Sequence, residues 1–143
     1  MKLDLLPWLI LFLPLLAAAC ITLFTPRRPR LSAGLSIGAV VAGFGLSLIF
    51  IALNGWTPAR ESSLTWLELG ELQVDFGLRF DPLSLLMMLI VTGVASAIHI
   101  YSWGYMSEDR GFSRYFACLS LFTFSMLGIV LANNFVELFI FWE

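Results

Sequence analysis

The stretch PLSLLMMLIVTGVASAIHIYSWGY, residues 82–105, holds no lysine, arginine, aspartate or glutamate over 24 residues. As a helix it would be about 36 Å long at 1.5 Å per residue. The hydrocarbon core of a bilayer is about 30 Å thick and needs about 20 apolar residues to cross it. Asp81-Pro82 opens the run. Aspartate caps orphan amides, and proline is preorganised for the first helical position. Three further charge-free runs flank it: Leu5 to Phe24, Leu31 to Leu53, and Tyr115 to Leu131, the last extendable through Ala132 to Phe135. One such run could be a buried core helix. Four cannot be, because too few polar residues remain to cover them. Apolar residues make up 59% of the 143 and charged ones 13%, against about 45–50% and about 25% in soluble domains. That balance excludes an ordinary soluble domain and a disordered chain. The net charge of −2 leaves no basic face for nucleic acid.

A fifth run opens at Asn134 and reads NFVELFIFWE to Glu143. Nine helical steps reach about 14 Å, half a bilayer. A membrane helix stopping there would leave carbonyls and a carboxylate in hydrocarbon. The expectation is a fragment of a larger helical bundle: an all-α multi-pass membrane protein with four complete transmembrane helices, half of a fifth, and a small external β-hairpin. Lys2, the leucine-rich run and Ala17-Ala18-Ala19-Cys20 imitate a secretory or lipoprotein signal. Against that reading stand Asp4, Pro7, Trp8 and Pro14, and the apolar run continues to Phe24. Pro14 is expected to kink the first helix without ending it. Cys20 and Cys118 read as small buried apolar residues, with no metal-ligand spacing around them.

The segment Thr25-Pro-Arg-Arg-Pro-Arg30 is a sharp cationic turn and, by the positive-inside rule, cytoplasmic. The N-terminus and the loop from Asn54 to Asp81 then lie outside, and the loop around Met106 to Arg114 inside. Residues 1–60 form a two-helix N-terminal unit, 61–81 the hairpin loop, and 82–143 the third, fourth and fifth helices. Leu72, Val74, Phe76, Leu78 and Phe80 alternate with Gln73, Asp75, Gly77 and Arg79. That period of two predicts a strand with one apolar face. Leu69-Gly70-Glu71 supplies its turn. A lone hairpin is marginal in water, so its apolar face is expected to rest on helix ends or a neighbouring subunit. Asn133-Asn134 separates the fourth and fifth helices, one suited to a left-handed C-terminal position and the other to an N-cap.

Two ionisable residues stand apart from the loop charges. Glu143 falls near the bilayer midplane, where a carboxyl faces a bundle interior or a water path and can take up and release a proton. Glu137, about 5 Å deep in the first helical turn, reads as an interfacial, structural acid favoured by the helix dipole. His99, about 26 Å along its helix and near the inner surface, reads first as a packed side chain bonded to a neighbouring helix. Its second reading is a step in a proton relay. Tyr101, Trp103, Tyr105, Tyr115 and Phe116 resemble an interfacial belt. No phosphate loop, thiolate cluster or paired histidines appear, so hydride, iron–sulfur and haem chemistry are not expected of these residues.

The strings Phe80-Asp-Pro-Leu-Ser-Leu85, Val91-Thr-Gly93 and His99-Ile-Tyr-Ser-Trp-Gly-Tyr-Met106 resemble the antiporter-like subunit of respiratory complex I, NADH-quinone oxidoreductase, called L in bacteria and 5 in mitochondria. Gly111-Phe-Ser-Arg-Tyr-Phe116, Leu121-Phe122, Ser125-Met126, Leu131-Ala-Asn-Asn134 and Phe141-Trp142-Glu143 continue the likeness. The close resemblance covers about Leu64 to Glu143. It implies fourteen or more helices with two inverted five-helix repeats, the first starting near Tyr115, and ion sites near the midplane. It maps the family's proton-translocating glutamate onto Glu143, with a lysine partner on a later, broken helix. It further implies a subunit of a proton-translocating enzyme, inactive as this stretch alone. NAD, FMN, iron–sulfur clusters and quinone would be bound by other subunits of the complex, and none by this chain. The implied partners are other membrane-arm subunits, the lipid bilayer and protons. The implied location is a bacterial cell membrane before a mitochondrial inner membrane.

The implied mechanism is electrostatic. Quinone reduction elsewhere would alter the Glu143–lysine interaction and move a proton across. Moving one charge through 100 mV costs about 2.3 kcal/mol, which is about two pKa units at 1.4 kcal/mol each. Related subunits occur in multisubunit Na⁺/H⁺ antiporters, membrane-bound hydrogenases, the photosynthetic relative of complex I and inorganic-carbon uptake systems. These form the second reading. A non-catalytic membrane scaffold and a secreted lipoprotein processed at Cys20 are the readings from other classes.

Overall fold

The chain is described by a computed structural model covering residues 5–25, 28–56, 60–69 and 72–143. Its elements are α1 (Leu5–Phe24), α2 (Pro29–Asn54), β1 (Arg60–Leu69), β2 (Leu72–Phe80), α3 (Pro82–Tyr105), α4 (Phe112–Leu131) and α5 (Phe135–Trp142). The first four helices coincide with the four apolar runs, and each is long and apolar enough to span a membrane. α1 continues through Pro14 without a break. α2 starts earlier than the apolar pattern, with Pro29 in its first turn, where a missing N–H costs nothing.

α1 and α3 each pack against α2 and α4, and α2 also touches α4 across the bundle. The pattern of burial is the inverse of a soluble bundle. Leu23, Phe24, Leu53, Leu83 and Phe122 face outward, whereas Ser32, Ser36, Ser47, Thr92, Ser96, Ser102, Ser113, Ser120 and Thr123 are buried. Small hydroxyl residues let membrane helices approach closely and hydrogen-bond. Ser32 Oγ donates to Ser113 Oγ at 3.0 Å, and Ser36 and Ser120 meet at 2.6 Å, so a polar seam joins α2 to α4. Ser102 and Tyr115 join α3 to α4 at 3.1 Å. Ser47, Thr92, Ser96 and Thr123 bond back to carbonyls of their own helices.

β1 and β2 form an antiparallel hairpin from Arg60↔Phe80 to Leu69↔Leu72, with a bulge between Thr65 and Leu67. The expected turn residues Gly70 and Glu71 lie outside the described residues. The period of two holds where side chains are described: Leu78 and Phe80 are buried, and Arg79 between them is exposed. The buried pair enters a cluster with Ile10, Leu11, Phe50, Leu85, Met88, Leu127 and Leu131. Phe76 stacks on Trp8 at 6.0 Å and Phe80 meets Phe50 at 5.7 Å. The hairpin therefore rests on helix ends. A second cluster, Ile21, Ala33, Phe112, Phe116 and Ala117, closes the opposite end of the bundle.

Local signals set the helix starts. Asp81 Oδ1 accepts the Ser84 N–H at 2.7 Å, and Asn134 Oδ1 accepts the Glu137 N–H at 2.8 Å. Asn133 differs from expectation, since among the described residues only Gly55 has a positive φ. Ala132 instead leaves α4 in an extended conformation and bridges Leu78 of β2. The expected burial of the cysteines is also corrected. Cys118 is exposed on the outward face of α4 and Cys20 is half-buried; apolar character in a membrane helix carries no inward bias, because lipid is as apolar as a core.

α5 packs against α4 through Phe141, which sits over Gly128 and meets Phe124 at 5.3 Å. A methyl group at position 128 would overlap the Phe141 ring. Gly128→Ala should therefore destabilise the protein in detergent unfolding by about 1–3 kcal/mol, the usual cost of overpacking. The hydrogen bond from the Ser84 amide, aided by Arg79 at 3.6 Å, holds the Asp81 carboxyl below its ordinary 3.8. A depressed folded value means that its contribution is present above the ordinary value and is lost as pH falls through the folded one. Asp81→Ala should cost about 1 kcal/mol at neutral pH, and titration of unfolding down to acid pH should show the wild type converging on the variant.

Candidate functional site

Among the described residues the helices carry one imidazole, His99 on α3, and two carboxyls, Glu137 on α5 and Glu143 at its end. α5 begins at its Asn134 cap and carries Glu143 nine residues further on, about 14 Å along the axis. Glu143 is exposed on the described residues, and its N–H donates to the Phe139 carbonyl at 3.1 Å. Phe141, two residues earlier, is held between Phe76 of β2 at 6.2 Å and Phe124 of α4. The helix segment bearing Glu143 is thus clamped from both sides.

Glu137 is more enclosed than its sequence position suggests. It is 2% exposed. Its Oε2 accepts the Asn133 N–H at 3.3 Å and the Gly77 N–H of β2 at 3.4 Å. Its Oε1 is buried with no hydrogen-bond partner among the described residues. The sequence reads this acid as interfacial and structural; the structure encloses it and adds the hairpin as a partner. Gly77 lies 60 positions away in the chain, and no local pattern announces that contact. The one available signal was an acid three residues past an N-cap asparagine, the spacing of a capping box.

His99 is fully buried on α3. The expected bond to a neighbouring helix is corrected: Nδ1 lies 2.7 Å from the Ala95 carbonyl one turn back on its own helix. Nε2 has no partner among the described residues. The ring packs 6.4 Å from Phe116. It also borders a cleft of about 260 Å³ between α3 and α4, lined by Val91, Ala95, Leu119, Thr123 and Met126 among others. His99 and Glu143 are not brought together. His99 meets α4 at Phe116, and Phe141 meets it at Phe124, levels about 12 Å apart on a helix. Glu137 and Glu143 share α5 but are six residues apart, about 9 Å along and 120° around. No group of three or more metal-ligating side chains occurs among the described residues.

A family model described as NADH-Ubiquinone oxidoreductase (complex I), chain 5 N-terminus, matches residues 66–116. NADH-quinone oxidoreductase subunit L of Mycobacterium tuberculosis (strain ATCC 25618 / H37Rv) is 44% identical over 142 residues, covering 95% of this chain and 22% of that protein. The chloroplastic NAD(P)H-quinone oxidoreductase subunit 5 of Zygnema circumcarinatum is 39% identical over 148 residues, with coverages of 95% and 20%. Among solved structures, a chain of the Mrp complex from Dietzia sp. DQ12-45-1b superposes with a TM-score of 0.73 at 27% identity, covering all of this chain and 15% of that one. The chain therefore spans about a fifth of the length of these curated relatives.

The unpartnered Nε2 in an apolar setting makes a stability prediction. Replacing His99 with leucine removes the unsatisfied Nε2 and the Nδ1 bond, while the Ala95 carbonyl keeps the backbone hydrogen bond of its own helix from the N–H four residues on, so no group is left buried and unpaired. His99→Leu should change detergent unfolding by less than about 1 kcal/mol. A larger loss would mean that Nε2 has a partner beyond the described residues.

Proposed function

The chain belongs to the family of NADH-quinone oxidoreductase subunit L and chain 5, and from that premise we propose that it is part of a proton-translocating membrane-arm subunit of complex I. The observation that carries the reading is the position of Glu143. It lies nine residues, about 14 Å of helix and in this reading half a bilayer, past the Asn134 cap, on a segment clamped by Phe76, Phe124 and Gly128. A carboxylate at that depth costs at least about 2.5–3.5 kcal/mol to place and so demands a partner or a water path. In this reading the partner is a lysine in the remaining four-fifths of the protein. Quinone reduction in other subunits, which bind the NAD, FMN, iron–sulfur clusters and quinone, changes the Glu143–lysine interaction. The proton is then taken from one side and released on the other. His99 serves as an auxiliary relay through its Nε2, which no described residue bonds. In this reading the arginines of residues 27–30 favour a cytoplasmic loop by the positive-inside rule, with the N-terminus and hairpin outside, in a bacterial cell membrane.

The likeness to the Mrp complex chain favours one second reading, a cation-antiporter subunit without redox partners. Proton uptake by vesicles holding the intact complex separates the two, driven either by quinone reduction or by an imposed sodium gradient.

Glu143→Gln in the intact protein should cut quinone-driven proton translocation at least tenfold, the equivalent of about 1.4 kcal/mol, with assembly unchanged. Wild-type translocation in that variant would overturn the assignment and favour a scaffold.

A further inference from the structure

We propose that Glu137 is a positioning residue: its carboxylate latches the edge of the hairpin to the start of α5 and thereby sets where Glu143 stands. The inference rests on the reading of Glu143 given above, but the latch itself stands on geometry. β2 is one of two strands in its sheet, so donors on its outer edge have no ladder partner. Along that edge the backbone bonds run to the α4–α5 junction. Leu78 bridges Ala132, and Gly77 donates to Glu137 Oε2. The same oxygen takes the Asn133 N–H. One carboxylate oxygen therefore stands in for a neighbouring strand and joins the hairpin to the residue before the α5 cap. Asn134 completes the junction by accepting the Glu137 N–H.

The consequence for Glu143 follows from the shortness of α5. Phe76, next to Gly77, also packs on Phe141. The hairpin thus grips α5 at two points, Glu137 and Phe141, on successive turns leading to Glu143. A helix held at both points can neither slide along its axis nor rotate without breaking one of them. The latch needs an acceptor at the end of a four-bond side chain. Glutamine supplies that acceptor, leucine supplies none, and aspartate is one methylene too short.

The test compares Glu137→Leu, Glu137→Gln and Glu137→Asp in the intact complex. Two readouts are taken: amide exchange of the β2 segment around Gly77, and protons translocated per quinone reduced. In Glu137→Leu the Gly77 region should exchange about tenfold faster, the scale set by losing one or two modest hydrogen bonds. The proton-to-quinone ratio should fall by half or more while quinone reduction continues. Glu137→Gln should restore both readouts. Faster exchange with an unchanged ratio would overturn the proposal, because the latch would then not position Glu143. A failure of Glu137→Gln equal to that of leucine would also overturn it, since charge and not an acceptor would be required. If Glu137→Leu does not assemble, Glu137→Asp decides: faster exchange and a lowered ratio are expected, and wild-type behaviour refutes the latch. Glu143→Gln serves as the control. Normal translocation in that variant would fail the reading of Glu143 and leave the exchange result to judge the latch alone.

Discussion

The bilayer offers no hydrogen bonds, and the architecture is organised around that lack. Each backbone N–H and carbonyl within the hydrocarbon must be satisfied inside the protein. Helices do this along their length, so the difficulty concentrates at their ends and at polar side chains. The seam of Ser32, Ser36, Ser113 and Ser120 pairs hydroxyls between α2 and α4. Ser102 meets Tyr115 across α3 and α4, and Ser47, Thr92, Ser96 and Thr123 fold back onto carbonyls of their own helices. With polar groups turned inward and paired, large apolar residues are free to face lipid.

The hairpin answers the same constraint at one end of the bundle. Its apolar face completes the cluster around Ile10, Leu85 and Leu131. Its backbone edge is taken up by Ala132 and Glu137. A two-stranded sheet is weak alone, and the exposed ends of α4 and α5 are costly alone. Joined, each satisfies the other. Two charged residues on one short helix consequently have different fates. Glu137 is spent on the junction, and Glu143 is left exposed by the described residues.

Much of this was legible along the chain. Run length predicted four spanning helices because the bilayer imposes a fixed length on any helix that crosses it. Alternation predicted β2, and Asp81 and Asn134 marked their helix starts, because strand pleat and capping are local geometry. The site was legible only in part. The depth of Glu143 follows from counting residues beyond Asn134. The enclosure of Glu137 depends on Gly77, which no spacing rule links to it.

What the sequence determined by itself is the set of properties decided within a few residues: which segments span, where helices begin, which strand face is apolar. Tertiary structure decided the rest. It turned Cys118 outward, bonded His99 to its own helix, replaced a left-handed turn at Asn133 with a bridge from Ala132 to Leu78, and placed the Phe141 ring over Gly128. The reason is the uniformity of the medium. In a membrane helix, apolar residues are equally at home against lipid and against protein, so hydrophobicity marks the span but not its inward face. Only the packing of one helix on another, and of the hairpin on both, selects that face.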